Sequence, residues 1–286
     1  MSEGGTAGTI AFALGSSASV GVADFLGGAV SRRRHPVAVT LTAQTTNLLL
    51  VVPLALVWGW DRVTVGAMAL GVVVGVAVAG SYTLFFRALS GGRMGVVAPV
   101  TALTGAVVPV GWGVVTGDAL SGLDAAGIAL ALVAVPLVSW TPGSGAPARP
   151  AGLSTAAMVV LAVGAGLGFA TFFVYLGEVG GDPGLWPLAA VRVGSVATMA
   201  VAALRLERAE LRPDRVAAMS GAFELLASVL IRLALQWGPV SVAAVLGSLY
   251  PLATIALARR VLGEHVHRLQ LTGAALAVLA VALLAA

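Results

Sequence analysis

The sequence predicts an all-α membrane protein whose ten transmembrane helices form two inverted five-helix repeats. Three observations predict this class: the composition, the spacing of the apolar runs, and a similarity between the two halves of the chain. Of the 286 residues, 59% are hydrophobic and only 10% are charged, whereas soluble domains carry about 25% charged residues. Such a chain has too little polar surface for a water-soluble globule, so we expect lipid to surround it.

The apolar runs are long enough to cross a bilayer, because a helix needs about 20 apolar residues to span the hydrocarbon core. Charges, prolines and polar turns separate ten such runs. The expected spans are 9–30, 37–58, 65–86, 95–115, 121–139, 153–176, 185–204, 216–236, 240–260 and 269–286. Pro251 falls inside the ninth span, where its missing amide donor predicts a kink just after Tyr250. Gly117-Asp118 is expected to form a turn whose carboxylate lies at the start of the next helix.

A segment rich in proline, glycine and small residues divides the chain near its midpoint. We interpret residues 141–152 as a flexible linker between a first repeat, 1–140, and a second repeat, 153–286. A shift of 146 residues aligns the two repeats without gaps, and 16 of the 50 positions from 88 to 137 are then identical. Turn glycines, acidic residues and span ends coincide in this alignment.

Each repeat contains an odd number of spans, so the second repeat must cross the membrane in the opposite sense to the first. Inverted repeats of this kind occur in secondary transporters, where the solute site lies near the bilayer midplane between the two repeats. The duplication therefore predicts a carrier with a central polar site.

Several residue runs in the second repeat have a known counterpart. They are Ala234-Leu235-Gln236-Trp237-Gly238-Pro239-Val240-Ser241-Val242-Ala243, Leu249-Tyr250-Pro251-Leu252-Ala253-Thr254, and Leu262-Gly263-Glu264 followed by Gln270 and Gly273. These runs resemble the EamA repeat of the drug/metabolite transporter superfamily. The opening segment Gly21-Val22-Ala23-Asp24-Phe25-Leu26-Gly27-Gly28 also looks like the first helix of such proteins. In the first repeat the resemblance is weaker, since Asp118 replaces the usual Glu, Asp124 the usual Gln, and Gly105 stands where Pro251 does.

The resemblance implies ten helices and the movement of metabolites, amino acids, sugars or drugs, often outward and often against protons. We therefore expect a secondary active transporter that exports a small metabolite or drug-like solute by alternating access, with proton coupling as an open question. An intramembrane enzyme and a passive channel are the alternatives. A channel needs repeated pore-lining rings, and two unlike halves suit rocking better.

Histidines and cysteines give little sign of catalysis. His35, His265 and His267 all fall in loops, and the sequence has no cysteine. His265-x-His267 alone is a weak metal signal. We accordingly predict no catalytic residue, no metal, no cofactor and no enzymatic activity.

Arginine placement predicts the orientation of the chain. Thirteen arginines lie near the odd-numbered loops, whereas the even-numbered loops hold only Arg62. Because positive charge is retained in the cytoplasm, this bias places both termini outside a bacterial cytoplasmic membrane. The same placement accounts for the basic charge without nucleic acid. The expected partners are a small-molecule solute and the lipid bilayer; a monomer is sufficient, and a dimer stays open. Residues 1–8 lack a basic region, so we expect the first span to be retained.

Ionisable groups at membrane depth are costly and therefore mark candidate sites. In the eighth span, polar residues recur every four positions on one helix face, where they are expected to line the solute path: Ser220, Glu224, Ser228, Arg232 and Gln236. The alternative is that Arg232 reaches a lipid head group and Glu224 forms a static ion pair. In the seventh span, Arg192 could bind an anionic group of the solute or neutralise Glu224.

Two carboxyl groups are candidates for proton coupling, because burial disfavours the charged form of a carboxyl. They are Asp24 in the first span and Glu224 in the eighth. The alternative for Asp24 is a turn residue at a helix break near Gly27-Gly28.

The remaining predicted substrate-binding residues are uncharged. Gln44 and Asn47 share a face of the second span and could contact the solute or join helices through hydrogen bonds. Tyr82 and Tyr250 could stack on a ligand or simply pack. The predicted substrate-binding set is thus Arg192, Glu224, Ser228, Gln44, Asn47, Tyr82 and Tyr250.

Overall fold

The computed structural model describes residues 3–58, 64–90, 94–118, 120–138, 153–179, 184–206, 211–262 and 268–285. Every regular element in these ranges is a helix. The helices are α1 (Glu3–Ser31), α2 (Pro36–Trp58), α3 (Val65–Ser90), α4 (Met94–Thr116), α5 (Gly122–Val138), α6 (Thr155–Glu178), α7 (Trp186–Ala203), α8 (Arg215–Trp237), α9 (Val240–Gly247), α10 (Pro251–Leu262) and α11 (Arg268–Ala285). The all-α prediction is confirmed.

The helices coincide with the ten expected spans, with α9 and α10 together occupying the ninth. By length and composition, α1, α2, α3, α6, α7 and α8 are each able to cross a membrane. Shorter apolar helical segments occupy the other four spans: Val100–Thr116, Gly122–Leu137, Val240–Ala253 and Arg268–Leu284. The protein is therefore a multi-pass membrane protein.

Large apolar side chains cover the outer surface of the helices. Val57 and Val65 are 87% exposed and Leu204 is 84% exposed, which in water would be unfavourable and in lipid is not. Polar side chains such as Gln44 and Ser195 are instead fully buried between helices. This inverted distribution places the chemistry of the molecule in its interior.

The ninth span is broken where the kink was expected. Helix α9 ends at Gly247, residues 248–250 form a turn, and α10 begins at Pro251. The amide of Ser248 donates to the carbonyl of Ala244 at 3.0 Å, but Pro251 has no amide hydrogen with which to continue the ladder. All residues from 241 to 251 are buried, so the break lies inside the bundle.

The helices of the two repeats pack against each other rather than as two separate bundles. The main pairs are α1 with α8, α3 with α6 and α7, α2 with α7 and α8, α4 with α6, α9 with α4 and α1, α10 with α1, and α5 with α11. When each helix is exchanged for its counterpart in the other repeat, with α9 and α10 taken as one span, every pair becomes either itself or another pair of the set. This is the packing expected of two units related by an approximate twofold axis. The opposite sense of the repeats in the membrane stays a prediction.

Two glycines that the 146-residue shift places on each other make the same kind of contact. A Cβ at Gly75 on α3 would collide with the carbonyl of Val191 on α7. A Cβ at Gly221 on α8 would collide in the same way with the carbonyl of Ala43 on α2. The close helix approach that small residues permit in membranes therefore occurs twice, at equivalent positions.

The turn expected at Gly117-Asp118 is present, but its carboxylate serves another helix. Gly117 has φ 101°, a left-handed conformation that glycine adopts without strain. The Asp118 carboxylate accepts hydrogen bonds from the amide of Ser241 at 3.1 Å and from its hydroxyl at 2.5 Å. Asp118 thus caps α9 of the second repeat. Helix α5 has its own cap, because Ser121 and Asp124 each accept from the backbone amide of the other.

Some sequence predictions lie outside the described residues. They concern the linker at 141–152, the loop with Arg62, the segment Gly263-Glu264, and the pair His265 and His267.

Candidate functional site: a cavity between the two repeats

Hydrogen bonds between α1 and α8 place one carboxyl group from each helix beside a common cavity. The Ser16 hydroxyl on α1 donates to the carbonyl of Ala227 at 2.8 Å, and the Ser220 hydroxyl on α8 donates to the carbonyl of Ala23 at 2.8 Å. These two bonds fix the antiparallel register of the helices. Asp24 and Glu224 both line the cavity in that register.

The cavity contains about 740 Å³ of space free of protein atoms, including its open part. Its walls come from α1, α3 and α4 of the first repeat and from α6, α7, α8 and α9 of the second. Neither repeat could form the cavity alone.

Equivalent positions of the two repeats line the cavity. The 146-residue shift relates four pairs of lining residues: Val78 with Glu224, Tyr82 with Ser228, Thr101 with Gly247, and Ala102 with Ser248. The cavity therefore lies where a twofold axis between the repeats would pass.

A closed cluster of polar side chains forms one side of the cavity. Arg192 on α7 pairs with Glu224 on α8 at 2.6 Å. The guanidinium also donates to the Gln44 side-chain carbonyl at 2.8 Å and to the Ser228 hydroxyl at 2.9 Å. The Gln44 amide in turn donates to both Glu224 oxygens, at 3.0 and 2.9 Å. The cluster joins α2, α7 and α8 and neutralises its own charge.

The Arg192 side chain is almost completely buried, with 2% of its surface exposed. Its guanidinium lies 5.6 Å from the centroid of the Phe172 ring, a cation–π distance. Only its Nε atom lacks a hydrogen-bond partner among the described residues. Taken with the Glu224 pair, these contacts support the static ion pair over a free anion-binding arginine.

Asp24 has no such cluster around it. Its side chain lines the cavity, and only 7% of the residue is exposed. Among the described residues, no donor hydrogen-bonds to its carboxyl group and no cation pairs with it. Within the described part of the chain, the cavity thus contains a self-neutralised pair and one carboxyl group without a partner.

Aromatic rings form much of the remaining wall of the cavity, and the Phe172 ring lies against Arg192. Tyr82 packs edge-to-face on Phe169 with ring centroids 4.7 Å apart, and Phe172 packs on Phe173 at 6.1 Å. The Tyr250 hydroxyl reaches the carbonyl of Ala98 at 3.3 Å. The three phenylalanines were not among the predicted site residues. Residues 169–175, with four aromatic residues in seven positions, are the signal that could have found them.

The predicted site residues divide into two groups. Those that line the cavity are Asp24, Tyr82, Arg192, Glu224, Ser228 and Tyr250. Gln44 does not line the cavity, but its side-chain amide hydrogen-bonds to Arg192 and Glu224. Asn47 is fully buried, and neither atom of its side-chain amide has a partner among the described residues. Binding of a solute by these residues stays a prediction.

The polar face predicted for α8 points inward over most of its length. Ser220, Glu224, Ser228 and Arg232 are all buried, whereas Gln236 at the helix end is exposed. Arg232 does not reach outward to a head group, because it is 4% exposed and its Nη1 approaches the carbonyl of Leu176 at 3.4 Å. Within the described ranges, no three His, Asp or Glu side chains are grouped as metal ligands would be.

Comparisons with known proteins agree with this architecture. Residues 156–286 match the model of the EamA-like transporter family, which confirms the resemblance of the second repeat. One solved crystal structure is similar over 94% of this chain and 94% of its own, with TM-score 0.71 and 16% identical residues. At that identity the similarity shows the fold alone. No curated protein sequence matches the chain.

Proposed function

We propose that this chain, which carries an EamA-like transporter domain at residues 156–286, is a secondary carrier that exports a small solute by alternating access. The observation that carries the proposal is the cavity between the repeats, whose walls come from equivalent positions of both. Rocking of two related units about such a cavity exposes it first to one side of the membrane and then to the other.

The helix packing supports the two inverted five-helix repeats that this mechanism needs. The pairs of contacting helices map onto each other when the repeats are exchanged, and Gly75 and Gly221 make equivalent close approaches. With the arginine bias of the loops, we propose a bacterial cytoplasmic membrane with both termini outside.

Asp24 is the better of the two candidates for proton coupling. Glu224 is held by Arg192 and Gln44, so its protonation would break several bonds. Asp24 has no described partner and can gain or lose a proton without dismantling the bundle. The ionisable groups that share its cavity are Glu224, Arg192, Tyr82 and Tyr250.

The test begins with purified protein and a thermal-shift screen of amino acids, sugars and organic cations, since a specific ligand stabilises the folded state. The best ligand is then followed in proteoliposomes as labelled solute. A carrier shows saturable uptake that unlabelled solute inside the vesicles accelerates, and the solute is recovered unchanged.

Uptake that neither saturates nor responds to internal solute would identify a channel, and chemical conversion of the solute would identify an enzyme. For coupling, we expect an imposed proton gradient to drive uptake by the wild type but not by Asp24→Asn. Equal responses of both proteins would remove Asp24 from the coupling mechanism.

A further inference from the structure

We infer that the solute of this cavity is an organic cation with an apolar or aromatic body. The inference rests on the proposed carrier function and adds the chemical class of the solute. It follows from the charge balance of the cavity, from the burial of Asp24 and from the aromatic wall.

The charge balance comes first. Among the described residues, the charged side chains that line the cavity are Asp24, Arg192 and Glu224. Arg192 and Glu224 are paired at 2.6 Å and neutralise each other, so a deprotonated Asp24 leaves one negative charge uncompensated. A monovalent cation supplies the missing charge, whereas a zwitterion or an anion does not.

The position of Asp24 makes that charge available to a solute. Only 7% of the Asp24 surface is exposed. The residue nevertheless lines the cavity and has no hydrogen-bond or ion-pair partner among the described residues. A buried carboxylate without a partner is costly. Burial favours the neutral acid in the empty cavity, so a cation that enters takes the place of the released proton and stabilises the carboxylate, which gives the cavity a preference for positive charge.

Arg192 does not offset this preference by recruiting an anion. Three of its contacts already use both terminal nitrogens, through Glu224, Gln44 and Ser228. Of its five N–H donors, three are used, and one on Nη2 and one on Nε remain. Because Glu224 already balances the charge of Arg192, an anionic solute would add a second uncompensated negative charge beside a deprotonated Asp24.

The remaining walls suit the apolar body of the solute and its charge. Tyr82, Phe169, Phe172, Phe173 and Tyr250 all line the cavity. Aromatic faces attract cations, most strongly where water is excluded.

The experiment compares three probes of similar size and different charge: benzyltrimethylammonium, zwitterionic L-phenylalanine and benzenesulfonate. The quaternary cation keeps its charge at every pH, so only the protein can titrate. Binding to purified protein is measured by calorimetry and thermal shift, and transport is measured separately by counterflow in proteoliposomes.

We expect the wild type to bind benzyltrimethylammonium at least about tenfold more tightly than either other probe, because only the cation gains the Coulomb attraction of the buried carboxylate. Asp24→Asn should weaken cation binding by about tenfold or more, and Asp24→Glu should retain it. The matched control is Glu178→Gln, which makes the same chemical change at the exposed end of α6, outside the cavity.

Size-exclusion chromatography identifies variants that do not fold. If Asp24→Asn does not fold, Asp24→Glu is tested in its place and should retain the preference for the cation. Failure of the wild type to bind the cation, or equal binding by folded Asp24→Asn, would overturn the inference. If L-phenylalanine or benzenesulfonate shows counterflow and benzyltrimethylammonium does not, the inferred solute class is wrong and the carrier function still holds. If the cation binds but no probe shows counterflow, the cation site still holds and the carrier function is wrong.

Discussion

The two walls of the cavity are built from equivalent positions of the two repeats, but the side chains at those positions differ in chemistry. The first repeat contributes Val78 and Tyr82 from α3, and the second contributes Glu224 and Ser228 from the equivalent positions of α8. Ser228 accepts from Arg192 and Glu224 pairs with it, whereas Tyr82 packs on Phe169. The equivalent positions therefore give the two walls a similar framework, and the different side chains at those positions give the cavity its chemistry.

This difference teaches which substitutions should behave alike and which should not. Substitutions at helix contacts should have similar effects in both repeats, because both contacts depend on the same backbone approach. Substitutions of polar side chains should affect the second repeat far more, because the charged cluster is built largely there.

The largest expected effect is at Arg192. Arg192→Met leaves Glu224 buried without its cation, and we expect it to lower the free energy of unfolding by about 3–5 kcal/mol. The double variant Arg192→Met with Glu224→Met should recover most of this loss, because no unpaired charge is left. Titration of detergent-solubilised protein with SDS measures both. If the double variant is no more stable than Arg192→Met, the unpaired charge of Glu224 is not the cause of the lost stability.

The next effect tests the symmetry of the helix contacts. Gly75→Ala and Gly221→Ala each place a methyl group against a backbone carbonyl, and we expect each to cost about 1–3 kcal/mol. Gly80→Ala is the control, since no atom lies within 4 Å of its added Cβ. The same titration applies. A large loss at one glycine and none at the other would break the proposed equivalence of the repeats.

A smaller effect is expected where the first repeat caps a helix of the second. Asp118→Ala removes the acceptor of the Ser241 amide and hydroxyl, and loss of such a cap costs about 1 kcal/mol. The melting temperature of the purified protein should fall slightly, while Asp118→Asn, which keeps an acceptor, should fall less. Identical melting temperatures for both variants would argue against the cap.

The smallest effect is expected at Asn47. Its buried amide has no partner among the described residues, so Asn47→Leu removes a polar group without breaking a described bond. We expect a change within about 1 kcal/mol of the wild type, in either direction. Gln44→Leu, which would break the bonds to Arg192 and Glu224, is the matched comparison and should cost clearly more. An equal loss at Asn47 would show that its amide has a partner after all.

The helices and the kink could be predicted from the sequence because they depend on local features. Charged loops delimit the spans, and Pro251 breaks the ninth span whatever surrounds it. The buried face of α8 was also predictable, since residues four apart share one face of a helix.

The partners of the buried polar side chains could not be predicted, because they come from distant parts of the chain. Gln44 and Glu224 are separated by 180 positions, and nothing local to either one indicates the other. The same holds for Asp118, whose turn was predicted but whose bond to Ser241 links α9 to the other repeat. The aromatic wall was missed because phenylalanines in an apolar span look like ordinary lipid-facing or packing residues.

The break before Pro251 has a consequence for the empty protein. Gly247 lines the cavity, and its carbonyl loses the donor that a continuous helix would supply from position 251. A carbonyl left bare at membrane depth costs several kcal/mol, which a water molecule can offset. We therefore expect the cavity to be hydrated whenever it holds no solute. In the proposed carrier cycle, each return of the unloaded protein would then move water with it.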